Sequence, residues 1–145
     1  MKVITWITLF VLFAQFPLGM WLNLFASFPT SSPSLSGMAG MMSSMMGFMM
    51  TGGMSVLMVH MFIGFVLLIT SVITLGIASY SGERRAIMLS GLGLVSIIVA
   101  GVGGLSFMFS GFQDSFLSYL MAIGFLSAFT VYFVILYVAK SNHRS

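Results

Sequence analysis

The sequence predicts an all-α membrane protein, a bundle of four transmembrane helices. Of its 145 residues, 59% are hydrophobic and only 5% are charged, with a mean hydropathy of +1.15. An ordinary soluble domain has about a quarter of its residues charged. The apolar residues also fall into four runs, each near the roughly 20 residues that cross the hydrocarbon core of a bilayer. The sequence therefore predicts one integral membrane domain, with the lipid bilayer as its solvent.

Charge and cysteine content exclude several functions. The net charge is +3, and the five cations are scattered in ones and twos rather than gathered on a face. A nucleic-acid partner is therefore not expected. The chain has no cysteine, which excludes disulfides, iron–sulfur clusters and zinc–thiolate sites.

The first predicted span covers about residues 3–25. Trp6 and Trp21 lie about four helical turns apart, roughly 22 Å, which suits the two aromatic belts of a membrane. A cleaved signal peptide is the alternative, because Lys2 followed by the apolar run 3–14 resembles an n-region and an h-region. The apolar run continues past Trp21 without an A-x-A site, which favours a retained helix.

One side of this first helix carries small and polar residues, and we expect that side to face protein, since an unpaired amide is costly in hydrocarbon. The residues are Thr8, Gln15, Gly19 and Asn23.

A methionine ladder precedes and enters the second span. The ladder consists of methionines at every fourth position: Met38, Met42, Met46, Met50, Met54 and Met58. It follows a loop rich in proline and serine at 28–37. We expect a short helix on the outer side at about 38–50, a break at Gly52-Gly53, and the second span at about 54–80.

The third and fourth spans are predicted at about 86–109 and 115–138. A polar turn at 81–85 precedes the third span, and Asp114 occupies the N-cap position of the fourth. Within the third span, small residues spaced by four predict a groove for close contact with another helix. These residues are Ser96, Ala100 and Gly104.

The cations predict the orientation. With four spans they all fall on one side of the membrane, and the positive-inside rule makes that side cytoplasmic. They are Lys2, Arg84, Arg85, Lys140 and Arg144. Both termini are then cytoplasmic in a multi-pass protein of the cell membrane, and the methionine ladder lies outside.

His60 is the main candidate functional residue, because ionisable side chains in or near a span are rare and often functional. It lies near the outer edge of the second span. The simplest interpretation is an interfacial histidine that is hydrogen-bonded to a neighbour.

The methionine ladder has two interpretations. Thioethers select Cu(I) over harder cations, so Met42, Met46, Met50, Met54 and Met58 could form a copper-collecting site on the outer side. The M-x-x-x-M pair on the second span resembles that of the copper-transporter family, although this chain has four spans and no Cys-His tail. Alternatively, methionine is a flexible packing residue that suits adaptable contacts with other subunits.

Binding of b-type haem is a further interpretation of His60. His60 is followed one turn later by Gly64, a spacing common around haem-ligating histidines. The region 59–138, with VHMFIGFVLL, GERR, AGVGG and YFVILYVA, resembles part of one four-helix half of heme A synthase. The resemblance implies that His60 ligates haem, whereas Tyr119 and Met121 stand where the second histidine would lie.

If the chain binds haem, the sequence favours ligation of the iron by one histidine and one methionine. His143 is predicted on the cytoplasmic side, about a membrane thickness from His60, which excludes a pair of histidines. Met20, Met108 and Met121 are predicted near the depth of His60, and a His–Met pair would raise the haem potential.

The sequence contains no pattern of residues that is typical of a catalytic site. Glu83 and Asp114 are predicted on opposite sides of the bilayer, so no pair of carboxylates forms. We therefore expect a non-enzymatic integral membrane protein, an accessory or assembly subunit of a larger membrane complex, for instance a respiratory one. A protein that handles haem or copper is the alternative.

Overall fold

A computed structural model describes residues 2–25, 46–47, 49–50, 52–109 and 114–141. Its long elements are four α-helices: α1 (Lys2–Phe25), α2 (Gly53–Ser81), α3 (Arg84–Phe109) and α4 (Ser115–Ser141). All four are long and apolar enough to cross a membrane. For the described residues, the prediction of an all-α fold with four helices long and apolar enough to span a membrane is confirmed. Most of the expected outer helix at 38–50 lies outside the described residues. Within that range the structure describes residues 46–47 and 49–50, and these are helical.

The described helix ends form where the sequence supplies turn and cap residues. Gly82 ends α2 in the left-handed region at φ 69°, where its N–H donates to the carbonyl of Ser79, and glycine adopts this conformation without a steric cost. Asp114 caps α4 as predicted, since its Oδ1 accepts the Phe116 N–H at 2.9 Å. The tight turn between α2 and α3 makes them antiparallel neighbours.

The helices form a ring. Helix α1 packs against α2 and α4, and α3 packs against the same two helices. The contact between α3 and α4 is the most extensive, and that between α1 and α4 is the smallest. Each helix therefore has one face toward the centre and a broad outer face of exposed apolar side chains, which suits a lipid environment.

The buried core lies mainly in the half of the bundle that contains the α2–α3 turn. It joins residues from all four helices: Leu9, Leu12, Leu67, Ile97, Ala128, Val131, Tyr132 and Ile135. Buried hydroxyl side chains accompany them, among them Thr5, Thr8, Ser71, Thr74 and Ser90. Several of these hydroxyls donate to a carbonyl of their own helix, as Thr8 does to Ile4 at 2.9 Å and Thr74 to Thr70 at 2.7 Å. Such bonds satisfy the hydroxyls of Thr8 and Thr74 within the bundle, whereas the buried Ser90 hydroxyl has no partner among the described residues.

The predicted groove of α3 receives α4 at Gly124. A methyl group at Gly124 would lie 2.9 Å from both the Ala100 backbone nitrogen and the Ser96 carbonyl oxygen. The two backbones are therefore in direct contact, which confirms the prediction for Ser96 and Ala100. Gly104 contributes differently, since the Sδ atom of Met121 would lie 3.2 Å from a methyl group there.

The expectation for α1 holds for three residues and is wrong for the fourth. Thr8 is fully buried, and Gln15 and Gly19 contact α2. Asn23 is exposed. Residues spaced by four drift about 40° per step around a helix of 3.6 residues per turn, so Asn23 has rotated away from the face of Gln15. It also lies in the last turn of α1, where water can hydrate its amide.

Candidate functional site

The candidate site is a polar contact between α1 and α2 in an otherwise apolar part of the bundle. The Gln15 side-chain nitrogen Nε2 donates to the backbone carbonyl oxygen of His60 at 3.0 Å. The same nitrogen lies 3.2 Å from the imidazole Nε2 of His60. Helix α1 brings Gln15 to this depth from one side of the membrane while α2 brings His60 from the other.

These two distances favour one tautomer of the imidazole. An amide nitrogen carries two hydrogens and accepts no hydrogen bond, so His60 Nε2 must be the acceptor. The contact therefore suits the tautomer whose hydrogen is on Nδ1. Flipping the Gln15 amide would place its oxygen 3.0 Å from the His60 carbonyl oxygen, which is repulsive. Only the orientation described satisfies both contacts, by the usual network criterion for assigning amides and histidines.

Two glycines allow the close approach. A methyl group at Gly19 would lie 3.2 Å from Cε1 of His60, and one at Gly64 would lie 3.3 Å from Nε2 of Gln15. Gly64 therefore makes room for Gln15 on α2, and Gly19 makes room for the imidazole on α1. Within the part of the chain that the structure describes, Gln15 Oε1 and His60 Nδ1 are buried without a hydrogen-bond partner.

The methionines considered for haem differ in their exposure and contacts. Met121 packs against α3, where its Cγ would lie 3.2 Å from a methyl group at Gly103. Met20 is 41% exposed, although its neighbour Gly19 faces His60, and Met108 is half-buried. The described contacts of Met121 are thus with α3, and those of His60 are with α1.

The methionines considered for Cu(I) are mostly exposed where the structure describes them. Met46, Met50 and Met58 are exposed, Met54 is half-buried, and Met42 lies outside the described residues. Among the described residues, no group of three or more His, Cys, Asp or Glu side chains lies together in a way that could hold a metal ion.

A second polar contact crosses the centre of the ring and was not predicted from the sequence. The hydroxyl oxygens of Ser71 on α2 and Tyr132 on α4 lie 2.6 Å apart, and both residues are fully buried. Tyr132 fits against Gly93 of α3, where a methyl group would lie 2.9 Å from Cε2 of the ring. One sequence signal could have indicated the α2 face, namely the small and hydroxyl residues recurring at helical spacing at Thr70, Ser71, Thr74 and Ala78.

The fold and these contacts define the class of protein: a multi-pass α-helical membrane protein whose helices are joined by a few buried polar contacts. Comparison with known protein families, with curated proteins and with solved structures gives no match.

Proposed function

We propose that the protein is a non-catalytic accessory or assembly subunit of a larger membrane complex. The observation that carries the proposal is the contact of His60 with Gln15. The imidazole Nε2 lies 3.2 Å from the side-chain nitrogen of Gln15, which also donates to the His60 backbone carbonyl oxygen. The histidine therefore serves as a contact between helices in this structure.

The outer surface of the bundle agrees with this role. Large apolar side chains are exposed on all four helices, for example Phe13, Phe65, Val95 and Leu126. Such a surface suits lipid and also the apolar helices of other subunits, because helix association in a membrane depends on packing rather than on exclusion of water.

The experiment has two parts. The tagged chain, expressed at its natural level and extracted in a mild detergent, should migrate on a native gel with a complex larger than itself. Deletion of its gene should lower the amount of that complex. Migration as a free monomer together with an unchanged set of membrane complexes would contradict the proposal. A Soret band in the purified protein that His60→Ala abolishes would establish the haem alternative, and copper lost on removal of Met46, Met50 and Met54 would establish the Cu(I) alternative.

The structural role of His60 has its own quantitative test. Gln15→Leu and His60→Leu should each lower the free energy of unfolding in detergent by about 0.6 kcal/mol, and at most about 1.7 kcal/mol, the range measured for polar contacts between transmembrane helices. The double variant should lose less than the sum of the two, because both variants remove the contact between the Gln15 amide and the imidazole. The hydrogen bond to the His60 backbone carbonyl is lost only with Gln15→Leu. Strict additivity in this double-mutant cycle would mean that the two side chains do not interact.

The proposed orientation places both termini and the α2–α3 turn in the cytoplasm of the cell. It rests on the cations Lys2, Arg84 and Arg85 at that end of the bundle. A cysteine introduced at Ser115, which is exposed at the start of α4, should react with an impermeant thiol reagent added to intact cells. A cysteine at Ser81 should react only after the cells are opened. The reverse pattern would show the opposite orientation.

A further inference from the structure

A groove lies between the first turns of α1 and the last turns of α4, at the opposite end of the bundle from His60. Its volume is about 370 Å³, and it is lined by Lys2, Trp6, Phe133, Leu136 and Tyr137. This volume falls within the roughly 300–1,000 Å³ typical of small-molecule sites. The groove uses none of the residues of the candidate site.

The lining changes from charged to apolar along the groove. Lys2 supplies an ammonium group at the N-terminus of α1, where the helix dipole also favours an anion, and the first turn of α1 contains no acidic residue. Phe133 and Leu136 provide an apolar wall further along α4. None of the described lining residues is acidic.

The rim of the groove has the character of a membrane interface. Trp6 is 62% exposed and Tyr137 is 73% exposed, and both residue types concentrate at headgroup level because their rings are apolar and their N–H or O–H groups are polar. Phe133, at 60% exposure, continues the same surface toward the hydrocarbon. The groove therefore opens sideways to lipid, at the depth where a headgroup meets its acyl chains.

We propose that this groove binds one anionic phospholipid. The phosphate lies at the Lys2 ammonium and the N-terminus of α1, and an acyl chain lies along Phe133 and Leu136. Charge complementarity selects this occupant: a lysine between transmembrane helices, at the end of the bundle proposed above to be cytoplasmic, suits an anionic headgroup. A zwitterionic lipid offers the same acyl chains but also brings a cation to Lys2, so it should bind more weakly.

The test uses Trp6 as the reporter of a bound acyl chain. The chain has two tryptophans, so Trp21→Phe leaves Trp6 alone. The full-length variant is reconstituted into phosphatidylcholine vesicles that contain a small fraction of phospholipid with brominated chains, as either phosphatidylglycerol or phosphatidylcholine. Brominated phosphatidylglycerol should quench Trp6 with an apparent preference of about fivefold, the contribution expected from one lysine near an anionic lipid. Lys2→Gln should remove this preference, and Lys2→Arg, which retains the cation, should keep it.

Two controls separate a specific groove from general attraction to charge. Arg85→Gln removes an exposed cation from the same side of the membrane without touching the groove, and it should leave the preference unchanged. The Trp6→Phe protein reports from Trp21 near the other end of α1 and should show no preference. Equal quenching by the two lipids, or an equal loss with Arg85→Gln and Lys2→Gln, would overturn the proposal. So would loss of the preference in excess inorganic phosphate but not in chloride at matched ionic strength, since that indicates a site for a soluble anion.

Discussion

Replacing Gly124 with alanine should lower the free energy of unfolding by about 1–3 kcal/mol, the usual cost of overpacking a well-packed contact. The added methyl group would lie 2.9 Å from the Ala100 nitrogen and the Ser96 carbonyl oxygen. Both are backbone atoms of α3, so no side-chain rotation can relieve the contact. The helices must instead move apart along the most extensive contact of the bundle. Thermal unfolding in detergent, followed by circular dichroism or tryptophan fluorescence, measures the loss.

Gly101→Ala is the matched control. Gly101 lies on α3 next to Ala100, but it is exposed and has no neighbouring atom within 4 Å of an added methyl group. The same chemical change should therefore leave the free energy of unfolding unchanged or raise it by up to about 1 kcal/mol, because alanine is the better helix former. If the two variants unfold together, α4 does not contact α3 through Gly124.

Replacing Tyr132 with alanine should lower the free energy of unfolding by about 3 kcal/mol. Tyr132 is fully buried at the centre of the ring, between Ser71 of α2 and Gly93 of α3. Large aromatic-to-alanine changes in soluble cores cost about 3–5 kcal/mol, of which part is transfer to water and part is the cavity left behind. In a bilayer the unfolded reference state is lipid-exposed, so the cavity dominates and we expect the lower end of the range.

Tyr132→Phe separates the hydroxyl from the ring. It keeps the packing against Gly93 and removes only the 2.6 Å contact with Ser71, so it should cost about 0.6 kcal/mol, and at most about 1.7 kcal/mol. Ser71→Ala should cost a similar amount, and the pair should be non-additive. A loss with Tyr132→Phe as large as that with Tyr132→Ala would mean that the hydrogen bond, and not the packing, holds this part of the bundle together.

The sequence by itself determined the number of helices, their approximate ends and the turns between them. These features follow from local chemistry. Uninterrupted apolar runs need a helix to satisfy their backbone groups in lipid, Gly82 permits the left-handed turn that ends α2, and Asp114 caps α4. The small-residue groove at Ser96 and Ala100 could also be predicted from the sequence of one helix, because it needs only small residues spaced by four.

Only the tertiary structure decided which faces meet. The helices are apolar nearly all round, so there is no strong amphipathic pattern to orient them, and in lipid an apolar face gains little by turning inward. Rotation is then set by individual fits between helices: Gly124 against Ala100, Tyr132 against Gly93, and Gln15 against His60. Each fit depends on a partner distant in the sequence. For this reason the pairing of Gln15 with His60 and the central place of Tyr132 emerged only once all four helices were packed together.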